Sequence, residues 1–243
     1  MGACRWPAVI CAASLLSGCA PPVAAPLPAG SAGRAAPTVE APVRVASKKK
    51  VTSRRRAGEV RVPYSASGGY AVVPGRAAPR KGRGSVVRYL VEVERGLPFD
   101  KGDFAAAVHR TLNDPRGWAR FQRVDRPPVR LRVALSSPAT TDRQCLPLRT
   151  GGDLSCWNGT RSVINAVRWA KGVAQYRGDL AAYRDYVINH EVGHGLGHHH
   201  GYCPGRGQPA PVMAQQSKTL GGCRPNPWPF PLAGSRSTKG APG

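Results

Sequence analysis

Apolar and polar positions divide the chain into segments of different period. Val86, Val87, Tyr89, Val91 and Val93 interleave with Arg88, Glu92 and Glu94, a partial alternation that predicts a strand. The period then changes. Phe104, Ala107, Val108, Thr111 and Leu112 recur at helical spacing behind Asp103, which reads as an N-cap, and Asn113-Asp114-Pro115 ends the helix. His109 lies within this helix and reads as an ordinary helix residue. Residues 121–124 predict a short strand. Residues 129–135 alternate cleanly, so a half-exposed strand is expected with its arginines on the wet face. Residues 136–153 read as a loop, and 162–167 as a last strand at a sheet edge, where unpaired backbone groups can receive an extended peptide. Asp179 then caps a long helix carrying Tyr183, Tyr186, Val187, His190 and His194 at mainly helical spacing.

That helix runs into the most informative stretch of the chain. Residues 190–200 read His-Glu-Val-Gly-His-Gly-Leu-Gly-His-His-His. On a helix, His190 and His194 leave the same face one turn apart and can grip one metal ion, with Glu191 beside them as a candidate general base. A straight helix would carry the next histidine about 12 to 15 Å along the axis. Zinc holds nitrogen ligands at about 2.0 to 2.1 Å, so the chain must turn back. Gly197 permits that turn because it lacks a Cβ, which selects His200 as third ligand and leaves His198 and His199 as bystanders. Three imidazoles and an open fourth position describe a catalytic zinc site.

Composition adds an exported context. The chain has 243 residues with 29 Gly and 24 Pro, and a net charge of +23. Such a charge suits anionic lipid or wall polymer. A chain rich in Ala, Arg, Gly and Pro also acquires it from a GC-rich genome, and no specific nucleic-acid partner is expected. Residues 1–19 join Arg5 to a short apolar stretch and Leu16-Ser17-Gly18-Cys19. This looks like a lipoprotein signal with a lipobox, the stretch being too short for an ordinary membrane span. Lipidated Cys19 would hold the protein at the outer face of the cytoplasmic membrane, and without lipidation it would be secreted. Residues 20–85 carry 13 Lys and Arg against Glu40 and Glu59, a balance of +11, and read as a disordered basic tether. The folded domain is expected over 86–230, with a disordered tail over 231–243. Cys145, Cys156, Cys203 and Cys223 remain in the body. Four cysteines allow three pairings. Cys145 with Cys156 would close a short hairpin-like segment and Cys203 with Cys223 brackets a loop, so these are the preferred pairs.

The motif from His190 to His200, followed by Pro211-Val212-Met213-Ala214, resembles that of metzincin zinc metallopeptidases, in which a Met-turn lies beneath the metal. The region from about Val86 to Phe230 resembles an exported actinobacterial family of metzincin-like proteins. That resemblance implies an α+β fold, a mixed twisted sheet backed by helices, with a catalytic helix ending at Gly197 and Met213 in the Met-turn. It implies a zinc endopeptidase of peptide or protein substrates in which Glu191 activates water; with the lipobox this gives an enzyme anchored at the membrane through Cys19, expected as a monomer. The chain departs from the pattern at Gly201, where several families have an acidic residue, and no tyrosine closely follows Met213, although Tyr202 is near in sequence. Two other readings remain open: a weakly active or non-catalytic envelope lipoprotein that binds wall or lipid anions, and a zinc hydrolase of cell-wall amides.

Overall fold

The computed structural model describes residues 60–231. The expected signal at 1–19 with Cys19, the first part of the tether, and the tail from 232 onward lie outside the described residues. The described part contains β1 (Tyr70–Val72), β2 (Val86–Glu94), α1 (Lys101–Leu112), β3 (Arg120–Arg123), β4 (Leu131–Ser136), α2 (Pro138–Gln144), β5 (Cys156–Trp157), β6 (Ser162–Asn165), α3 (Ala166–Lys171) and α4 (Leu180–Gly195). The strands form one mixed sheet in the order β1-β2-β4-β6-β5, with β3 also paired to β2. Three neighbours of this sheet are parallel: β2 with β3, β2 with β4, and β4 with β6. β1 and β5 run antiparallel to β2 and β6.

The alternation seen in sequence sorts the two faces of the sheet. Tyr89, Val91 and Val93 on β2 share one core with Leu131, Val133 and Leu135 on β4. They pack against Phe104, Val108 and Leu112 of α1 and against Tyr183, Tyr186 and Val192 of α4. The opposite face was expected to be wet and is instead covered. Glu92 is buried and accepts from Arg132 Nη1 at 2.6 Å and Arg161 Nε at 2.7 Å. Glu94 is fully buried and accepts from the backbone N–H groups of Gly68 and Ser137 and from the Thr140 hydroxyl. A buried carboxylate is tolerated only when its oxygens find donors in this way.

Those contacts move the start of the folded region. Residues 60–85, expected as part of the tether, are folded: β1 pairs with β2, Val73 is buried, and Ala77 bridges Arg123. The segment is low in apolar residues because Glu94 and the backbone of β2, rather than a large hydrophobic face, hold it in place. Three further boundaries are corrected. Asp100 caps α1 through a 2.7 Å bond from Asp103 N, so the helix begins before Asp103. The 136–153 loop contains α2, capped by Ser137 with Pro138 in its first turn. β6 is interior, since β5 pairs with its outer side, and the edge strand on that side is β5, with Cys156 buried and Trp157 part-exposed.

Candidate metal centre

α4 begins where Asp179 Oδ1 accepts from Ala182 N at 2.9 Å. From Tyr186 to Gly193 every residue is buried, so the helix runs through the molecule rather than over it. It ends as Gly197 predicts. Gly197 has φ +99, its N–H reaches His194 O at 3.0 Å, and His198 N–H reaches Gly193 O at 2.9 Å. These two bonds form a Schellman cap and turn the chain back across the last helical turn.

The reversal brings His200 to His190 and His194. The candidate ligand nitrogens of the three all lie within 4.8 Å of one another, and Nε2 of His194 is 3.1 Å from Nε2 of His200. Two nitrogens on a tetrahedral zinc would be about 3.3 Å apart, given bonds of about 2.05 Å. Second partners set the tautomers. His190 Nδ1 donates to Val212 O and His194 Nδ1 donates to His198 O, each at 2.9 Å, because a carbonyl only accepts. Nε2 of both rings is thereby left with its lone pair free for a metal. Burial lowers the pKa of His190 to about 3, with the two neighbouring imidazoles adding to the effect, and lowers those of His194 and His200. All three are neutral at physiological pH, the form that binds metal. The donor set and its geometry therefore fit zinc.

Glu191 lies beside His190 in the lining of the same cleft, and burial raises its carboxyl to about 8. The cleft has a volume of about 470 Å³. Leu148, Leu154 and Trp157 line it along with the imidazoles, while Ser217 and Lys218 contribute from the segment after Met213. Met213 is buried under α4 in a turn closed by Ala214 N to Pro211 O at 2.9 Å, and Gly201 N donates to Met213 O at 3.0 Å. The same turn supplies the Val212 carbonyl that holds His190.

Other candidates stay outside the ligand cluster, although His198 and His199 also line the cleft. His198 stacks on Trp118 with ring centroids 4.0 Å apart, and His199 is exposed. Tyr202 is 88% exposed and does not line the cleft, so its nearness in sequence has no counterpart in space. His109 accepts or donates at the Tyr89 hydroxyl within the core side of α1, in keeping with a structural role. Both preferred disulfides form, Cys145 with Cys156 and Cys203 with Cys223. Several supporting residues were not foreseen. Trp118 Nε1 donates to Asn189 O at 2.8 Å, and buried Gln216 ties Tyr176, Pro211 and Asn226 together while its N–H meets the Tyr186 hydroxyl. Tyr186 was findable, since it precedes His190 by one helical turn. Trp118 and Gln216 lie in irregular segments and give no periodic signal.

An α+β domain with a three-histidine centre at the end of a buried helix is the class that fold and site define. Residues 57–222 match the family model described as "Protein of unknown function (DUF3152)", and the chain belongs to that family. Neither a curated protein nor a solved structure matches it.

Proposed function

We propose that the protein is a zinc-dependent endopeptidase of the metzincin type, exported and anchored by lipidated Cys19 at the outer face of the cytoplasmic membrane. The observation that carries this reading is the convergence of three neutral imidazoles on one point with Glu191 beside them in an open cleft. When bound, zinc would bring the pKa of a bound water from 15.7 to about 7 and polarise the scissile carbonyl. The charge of a bound ion would favour the carboxylate form of Glu191 against its burial, and Glu191 then takes the proton of the attacking water and passes it to the departing amine. His190 and His194 hold their tautomers through Val212 and His198, so their geometry need not reorganise during the reaction. An extended substrate would lie along the β5 edge strand, whose Cys156 and Trp157 line the cleft. The turn at Met213 serves as the Met-turn, and the two disulfides suit an oxidising compartment.

The test is cleavage of a peptide library by zinc-loaded protein and its Glu191→Ala variant. Removing a general base costs about 10² to 10⁴ in rate. Equal cleavage by both proteins would sink the reading, and cleavage of wall-derived amides alone would redirect it to the wall-amide alternative. The net charge of +23 favours a second reading, an envelope lipoprotein whose main act is binding wall or lipid anions. It predicts salt-sensitive sedimentation with anionic vesicles that persists in Glu191→Ala.

A further inference from the structure

The cleft is uneven in its chemistry. Leu148, Leu154 and Trp157 give its lining an apolar part. Ser217 and Lys218 also line it, and Lys218 is the one Lys or Arg among the described residues that do. Its position is built rather than incidental. Lys218 N donates to Gln215 O at 2.9 Å, Lys218 O accepts from Gln175 Nε2 at 2.9 Å, and the neighbouring Ser217 hydroxyl meets the Tyr183 hydroxyl of α4 at 3.1 Å. The backbone is thus pinned against α4 while the side chain remains exposed. Among the described residues no carboxylate forms an ion pair with it, whereas Glu92, Asp114, Asp125 and Asp153 are all paired with arginines.

A cation in the lining of the cleft that holds the candidate ligands, without an internal partner, is a specificity element for an anion on the ligand. The apolar residues of the same lining ask for an apolar side chain. Resting on the peptidase reading above, we infer that Lys218 selects peptides carrying a carboxylate next to the scissile amide, with an apolar residue nearby. The carboxylate is that of an Asp or Glu side chain or of the substrate's own C-terminus. The strongly basic molecule reinforces the choice by drawing acidic substrates towards it.

The experiment measures binding as well as cleavage. Matched peptides with one position varied among Asp, Asn and Lys, all C-terminally amidated, form one arm. A non-acidic peptide with a free C-terminal carboxylate, against its amide, forms the other. Binding is measured by calorimetry to full-length, zinc-loaded Glu191→Gln protein, alone and combined with Lys218→Gln or Lys218→Glu. An exposed ion pair contributes about two- to fivefold in affinity, and replacing attraction by repulsion widens the Asp-to-Lys ratio to roughly tenfold. That preference is expected in one arm or the other, is expected to shrink in 0.5 M salt, to fall in Lys218→Gln to the remainder left by the general basic charge, and to fall further in Lys218→Glu. Because it is a ratio within each protein, partial misfolding of a variant does not mimic it. Equal binding of the acidic and basic peptides, an unchanged ratio in Lys218→Glu, or no binding of any peptide overturns the assignment. Binding with the expected ratio but no cleavage by the wild type leaves the assignment standing and removes the peptidase reading.

Discussion

Gly193 occupies a point on α4 where no side chain fits. A Cβ there would lie 2.5 Å from Met213 Sδ and 3.1 Å from the Trp118 ring. Alanine would gain about 1 kcal/mol of helix propensity. Overpacking a closed site costs about 1–3 kcal/mol, and Met213 has little room to retreat because it is itself buried. Displacing Met213 would also drag the adjoining Val212 carbonyl, which orients His190. Gly193→Ala is therefore expected to lower stability by up to about 2 kcal/mol net and to weaken zinc binding. Urea melts and a competitive zinc titration check both, and unchanged values in the two would contradict the argument. Gly197 differs in kind. Nothing lies within 4 Å of its added Cβ, and its requirement comes from φ +99 alone. For that reason Gly197 was legible in the sequence as a turn residue, whereas the need at Gly193 depends on Met213 and Trp118, which are distant in the chain.

The packing of α1 on α4 carries a titrating group. Thr111 of α1 donates its hydroxyl to Asp185 Oδ1 of α4 at 2.6 Å, yet burial outweighs that bond and raises the Asp185 pKa. The folded state holds this proton more tightly than the unfolded chain does. Its contribution is therefore fully present below the ordinary carboxylate pKa and is lost as pH rises through the raised folded value. Asp185→Asn keeps an acceptor for Thr111 and removes the buried charge. The variant is expected to be more stable than wild type at about pH 7.5, with the difference narrowing towards about pH 4. Urea denaturation at both pH values checks this, and a variant less stable at neutral pH would refute it. Elements of this kind were legible where burial imposes a period. β2, the β4 alternation and the Asp179 cap follow from local pattern. α2 escaped because its seven residues are largely polar and its cap bonds to Glu94 only through the fold. β1 and β5 escaped because three- and two-residue strands have no period of their own and exist by pairing with β2 and β6.

On the scale of the molecule, the three imidazoles join α4 to the segment after the Gly197 turn, beside the hydrogen bonds that tie the Met213 turn to both. His190 and His194 belong to α4, His200 follows the Gly197 turn, and Val212 ties the Met213 turn to His190. A bound ion would link these segments at one point and bind the unfolded chain far less well, so ligation adds to folding stability. With free zinc at about a thousand times Kd, that addition is about 4 kcal/mol. In a domain of this size each kcal/mol moves Tm by about 2–4 °C, so chelation is expected to lower Tm by about 10 °C. The Schellman cap, the Cys203–Cys223 disulfide and the covered sheet do not depend on the ion. The metal-free protein should therefore melt in one cooperative step, with its far-UV circular dichroism preserved at 25 °C. Adding zinc should restore Tm in wild type and in Glu191→Ala, which retains all three imidazoles, but not in His200→Ala. A Tm that chelation leaves unmoved would remove the metal centre, and the proposed hydrolysis with it, whereas a zinc-dependent shift in Glu191→Ala without cleavage would separate holding the ion from using it.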